Sequence, residues 1–101
     1  MTETADIPIQ AIVGKLRELT VPLRAQGVKR LYLFGSRARG DARPDSDLDV
    51  LVSFSEAPSL FRLIEMENYL SDRLGVRVDL VLREALKPRI GQRVLHEVVP
   101  V

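Results

Sequence analysis

Apolar residues recur along the chain at two periods. Ile9, Ile12, Val13, Leu16 and Leu19 return every three or four positions, which predicts an amphipathic helix. Asp6 is placed to cap it, and Pro8 suits its first turn. Pro22 predicts an end or a kink near Thr20, with a short continuation to Gly27. VKRLYLF, Val28 to Phe34, is β-branched and aromatic and predicts a strand. A second strand is expected from Asp47 to Phe54 and a third from Val76 to Leu82. Between them Ser59 is set to cap a helix closed by Gly75. In that helix Leu60, Leu63, Ile64, Leu70 and Leu74 are expected to face one way, with Phe61 and Met66 widening the stripe. Arg83 to Leu86 suits one helical turn before Pro88, and RIGQRVLHEVV reads as a last helix.

The order helix, strand, short helix, strand, helix, strand, helix is an α/β (α+β) pattern with a small three-stranded mixed sheet and helices packed on it. A full helix separates the second and third strands, which implies a parallel crossover. The link from Phe34 to Asp47 is too short for a parallel return, so the first two strands are expected to be antiparallel. The end of the first strand then lies beside the start of the second, and Ser36 falls near Asp47.

Composition narrows the function. The 101 residues suit one domain, taken as 1–101. A net charge of +1 gives no general field for nucleic acid or membrane, and 5% aromatic residues without Trp argue against a base-stacking platform. The absence of cysteine excludes disulfides, thiolate zinc sites and cysteine nucleophiles, and is compatible with a cytoplasmic location. MTETADIPIQ has no secretory pattern, and no apolar run reaches the roughly 18 residues of a membrane span. His96 is the only histidine, too few for a His-rich metal site. Tyr32 and Tyr69 read as core or rim residues.

The chemistry concentrates in GSRARGDARPDSDLD, Gly35 to Asp49. Strand alternation turns Asp47 and Asp49 to one face and Leu48, Val50 and Val52 to the other. In the third strand Val76, Val78, Leu80 and Leu82 take the core face and leave Asp79 on the opposite one. An Asp within that apolar run conflicts with strand propensity, a kind of conflict expected at functional sites. Neighbouring strands would bring the three carboxylates together, where they repel and raise each other's pKa. A hard divalent cation relieves that repulsion, and magnesium suits few carboxylates, waters and substrate phosphates.

Gly35-Ser36 follows a strand and precedes a short helix. Glycine allows a sharp turn and close ligand approach, and the next amides form an anion site. Ser36 can donate to a phosphate oxygen or cap the turn. Arg37, Arg39 and Arg43 are placed to offset triphosphate charge, with a solvated or salt-bridged role as the competing reading for each. Gly35-x-x-x-x-Gly40 has the glycine spacing of a Walker A loop, but Asp41-Ala42 replaces the required Lys-Ser/Thr.

Together these residues resemble the minimal nucleotidyltransferases of the DNA polymerase beta superfamily, whose antitoxin members are the MNT type. The family pattern is Gly-Ser, ten residues, Asp-x-Asp, then a third carboxylate on the next long strand; Gly35-Ser36, ten residues and Asp47-Leu48-Asp49 match it, with Asp79 in third place. The resemblance runs from about Ile9 to Val99. It implies the nucleotidyltransferase fold and an enzyme that transfers a nucleoside monophosphate, AMP from ATP, to a hydroxyl. Asp47, Asp49 and Asp79 would be the catalytic and metal-binding residues for two magnesium ions. Gly35, Ser36, Arg37 and Arg39 would bind the nucleotide.

About twenty residues follow the third strand, too few for an acceptor-binding domain, so the acceptor is expected on another molecule or in a shared cleft. The resemblance implies an antitoxin paired in a hetero-oligomer with a helical HEPN-domain toxin, an RNase, and modification of a toxin tyrosine. Two alternatives stand beside it. One is a non-catalytic antitoxin that masks its toxin, for which Ile90, Val94, Leu95, Val98 and Val99 offer apolar surface. The other is transfer to a small-molecule acceptor.

Overall fold

The computed structural model describes residues 8–43, 45–86 and 98–101. The cap assigned to Asp6, His96 and most of the expected last helix lie outside these residues.

Helix α1 (Ile9–Glu18) starts from Pro8 and buries Ile12 and Leu16. It stops one residue before α2 (Thr20–Ala25), which buries Leu23. Pro22 explains the break: it has no N–H to give to the Glu18 carbonyl, but in the first turn of a new helix that donor is not needed. β1 (Val28–Phe34) and the short α3 (Gly35–Arg39) follow, as the pattern predicts. Then come β2 (Leu48–Phe54), α4 (Leu60–Leu74), β3 (Val78–Leu82) and a 3-10 turn at Arg83–Ala85.

The sheet has four strands in the order β3-β2-β1-β4, where three were expected. β1 and β2 are antiparallel, and β2 and β3 are parallel. The added strand, β4 (Val99–Pro100), lies antiparallel to β1, with Val99 opposite Leu33 and Pro100 opposite Tyr32. The expected last helix therefore does not run to Val99. The residue before a proline is pushed out of the helical region toward extended backbone, and Val99 precedes Pro100. Val99 packs against the core instead of offering a free surface.

One face of the sheet carries Leu31, Leu33, Leu48, Val50, Val52, Val78 and Leu80 into a core shared with Ile12, Leu16, Leu23, Met66, Leu70 and Leu74. Ser59 caps α4, its hydroxyl accepting from the Arg62 N–H at 3.1 Å. The α4 stripe is narrower than expected. Leu60 and Phe61 are 73% and 81% exposed and Ile64 is 45% exposed. At about 100° per residue, Phe61 falls on the back of a helix seated through Met66, Leu70 and Leu74, and Ile64 on its flank; Leu60 lies in the first turn. Among the described residues, no helix is long and apolar enough to cross a membrane.

Candidate active site

The sheet register assembles the acidic residues. Asp49 sits in β2 opposite Phe34 on one side and opposite Asp79 on the other. Asp47 stands just before the strand, which begins one residue later than expected; the Leu48 N–H is tied to the Arg77 carbonyl at 2.8 Å. Asp47 and Asp49 are half-buried and Asp79 is exposed.

The Gly35 turn closes against this row. Gly35 has φ +78°, in the left-handed region, and a Cβ placed on it would fall inside the Asp49 carboxylate. Glycine is required here twice over, by conformation and by space. The turn leads directly into α3. There the Ser36 carbonyl accepts from the Gly40 and Asp41 N–H groups, both at 3.0 Å, and ends the helix.

Burial and neighbouring charges bear on two of the carboxylates. The Asp49 carboxyl is pushed above its ordinary range by burial first, then by the charges of Asp79 and Asp47, with Arg39 opposing. Asp79, though largely exposed, is also pushed up, by the partial burial of its carboxyl first, then by the charges of Glu67 and Asp47. Among the described residues, no three acidic or imidazole side chains converge as a ready-made metal cage. Magnesium does not need one: it keeps waters and substrate phosphates and takes one or two carboxylates from the protein. The mutual repulsion at Asp49 is what such an ion would relieve, so the donor set fits it.

The arginines divide. Arg37 is only 7% exposed, and its Nε and one terminal nitrogen donate to the Ser46 carbonyl at 3.0 and 2.7 Å. It straps α3 to the residue before Asp47. Ser46 is held from the other side by a turn: its N–H donates to the Arg43 carbonyl, and its hydroxyl accepts from the Arg43 N–H, both at 2.9 Å. Arg39 is exposed, pairs with Asp41 at 3.3 Å and lowers the Asp49 pKa. A groove of about 490 Å³ opens beside Asp47, lined by Arg37, Ser46, Asn68, Asp72 and Arg77 among others. A second cavity of about 450 Å³ lies between α2, β1 and β4 and includes none of the expected site residues.

Sequence reasoning missed the Arg37 strap, Ser46 and Glu67. A buried arginine is invisible in a string of loop arginines. Glu67 looks like any polar position beside a buried helical stripe. Tyr32 and Tyr69 are half-buried, as expected of core or rim residues.

The mixed sheet thus seats Asp-x-Asp beside a third strand carboxylate, closed by a Gly-Ser turn, the arrangement expected from the sequence resemblance. Residues 12–100 match the nucleotidyltransferase domain. The chain belongs to that family. It is 53% identical over 73 residues to the protein adenylyltransferase MntA of Thermococcus cleftensis, a match covering 72% of this chain and 74% of that protein. It is similar in structure to a proposed minimal nucleotidyltransferase at TM-score 0.82 and 36% identity, covering 95% of this chain and 98% of that one. A toxin-antitoxin crystal structure with AMP-PNP is also similar, at TM-score 0.73 and 26% identity, covering 86% of this chain and 69% of that one.

Proposed function

We propose that this nucleotidyltransferase moves AMP from ATP to a tyrosine hydroxyl of a HEPN-type toxin and so acts as its antitoxin. The observation that carries the chemistry is the direct pairing of Asp49 with Asp79 across β2 and β3, beneath the Gly35 turn. A protein acceptor within a toxin-antitoxin pair is supported by the relatives, an MntA protein adenylyltransferase and a toxin-antitoxin pair with AMP-PNP; the tyrosine and the HEPN class follow from the sequence resemblance.

The Gly35-Ser36 turn and its amides hold the β- and γ-phosphates, and Arg39 offsets their charge. Arg37 acts one step back, keeping Ser46 and hence Asp47 in place. Asp47 and Asp49, with Asp79 alongside, would hold magnesium, which would supply charge neutralisation at the reacting phosphate and the leaving group. The acceptor oxygen attacks the α-phosphorus, its bond to pyrophosphate breaks, and the hydroxyl proton passes to Asp79.

The exposed Leu60, Phe61 and Ile64 favour a second reading, an antitoxin that works by lasting contact alone. Asp47→Asn separates the two. With the toxin co-expressed, the variant should lose neutralisation if transfer is the mechanism. Full rescue of growth by Asp47→Asn would refute the catalytic reading and leave masking.

A further inference from the structure

Among the described residues β3 is an edge strand, paired with β2 alone. Its outward N–H groups meet no other strand among those residues, and an edge left to water is free to fray or shift. Asp79 is on this strand, so the third carboxylate of the site depends on an edge for its position.

Helix α4 holds that edge. The Ser71 hydroxyl accepts from the Val78 N–H at 3.0 Å, and Glu67 Oε2 accepts from the Leu80 N–H at 2.8 Å. The two side chains are one helical turn apart and so share a flank of α4. The Ser71 hydroxyl donates its proton to the Glu67 carbonyl at 2.8 Å, which leaves its lone pairs turned to Val78. The clamps grip the residues on either side of Asp79. The catalytic scheme above does not use Glu67, whose carboxylate is spent on a backbone N–H.

We propose that Glu67, seconded by Ser71, is a positioning residue that fixes Asp79 in register with Asp49 by clamping the outer edge of β3. The inference rests on the nucleotidyl-transfer reading for its catalytic consequence. A merely structural clamp would protect the fold and leave turnover per folded molecule unchanged.

Glu67→Gln and Glu67→Ala test this in the full chain with its acceptor. Both remove the charge; only Gln keeps an acceptor for the Leu80 N–H. Glu67→Gln should turn over near the wild-type rate. Glu67→Ala should lose about tenfold or more in kcat, with KM for ATP changed less than about twofold, because misplacing a reacting group costs rate and the triphosphate is held elsewhere. Equal kcat for the two variants, or a kcat for Glu67→Ala that stays at wild type while only Tm falls, would overturn the proposal. Should Glu67→Ala fail to fold, Ser71→Ala against Ser71→Thr puts the same question at the second clamp, with the same outcomes.

An arm independent of activity separates this inference from the reading it rests on. Mn²⁺ alone is titrated into each variant. Weaker binding by Glu67→Ala than by the equally uncharged Glu67→Gln supports the proposal even if the wild type transfers no nucleotide. Equal binding by the two, in a wild type without transfer, overturns it.

Discussion

Asp49→Asn should stabilise the metal-free protein. Asp49 and Asp79 are direct cross-strand partners, and adjacent strands lie about 4.8 Å apart. Two unit charges about 5 Å apart repel by about 3 kcal/mol at an effective dielectric of about 20, and by less than about 1 kcal/mol in bulk water. Asp49 is half-buried but Asp79 is exposed, so solvent screening brings the figure to about 1 kcal/mol. For a domain of this size that corresponds to a rise in Tm of about 4–8 °C. The pH dependence has a fixed sign. A carboxyl whose folded pKa is raised binds its proton more readily in the folded state. Its contribution is fully present below the unfolded pKa and is lost as pH rises through the folded one. The wild type therefore loses more stability over that window than Asp49→Asn, which keeps only the contribution of the raised Asp79. Thermal melts in EDTA should show a gap at neutral pH that closes as pH falls into the carboxylate range. Added Mg²⁺ should raise the wild-type Tm and raise the variant's far less, since a ligand stabilises only the state that binds it. A variant that melts at or below the wild-type temperature at neutral pH in EDTA would refute the repulsion argument.

Other consequences are simpler to check. Gly35→Ala combines a left-handed φ with a clash at the Asp49 carboxylate; it should cost about 1–3 kcal/mol by denaturant titration and abolish transfer. Arg37→Met removes the two donors on the Ser46 carbonyl. It should destabilise by about 1.5–3 kcal/mol, and kcat should fall even at saturating ATP because Asp47 loses its anchor. Ser59→Ala deletes the α4 cap and should lower stability by about 1 kcal/mol in a melt, with turnover unchanged because the cap sits at the end of β2 away from the carboxylates.

The strands were legible because their signals are local. Val28 to Phe34 matches the observed β1, and alternation alone placed Leu48, Val50 and Val52 in the core with Asp49 on the other face. The link lengths also carried the antiparallel and parallel pairings, and with them the meeting of Asp49 and Asp79. What escaped depends on tertiary context. Val99-Pro100 is too short to read as a strand until β1 is there to pair with it. The exposure of Phe61 follows from how α4 is rotated on the sheet, which apolar count does not fix. The roles of Arg37 and Glu67 arise from backbone partners nine and thirteen residues away, and side-chain type alone names no such partner.

The central claim is covalent transfer, and intact mass spectrometry of the partner toxin tests it most directly. Purified toxin is incubated with Mg-ATP and this protein, beside a sample containing Asp47→Asn. The account predicts toxin heavier by whole AMP units in the first sample, on tyrosine, and unmodified toxin in the second. Unmodified toxin in the first sample, with its RNase activity nonetheless silenced, would contradict it.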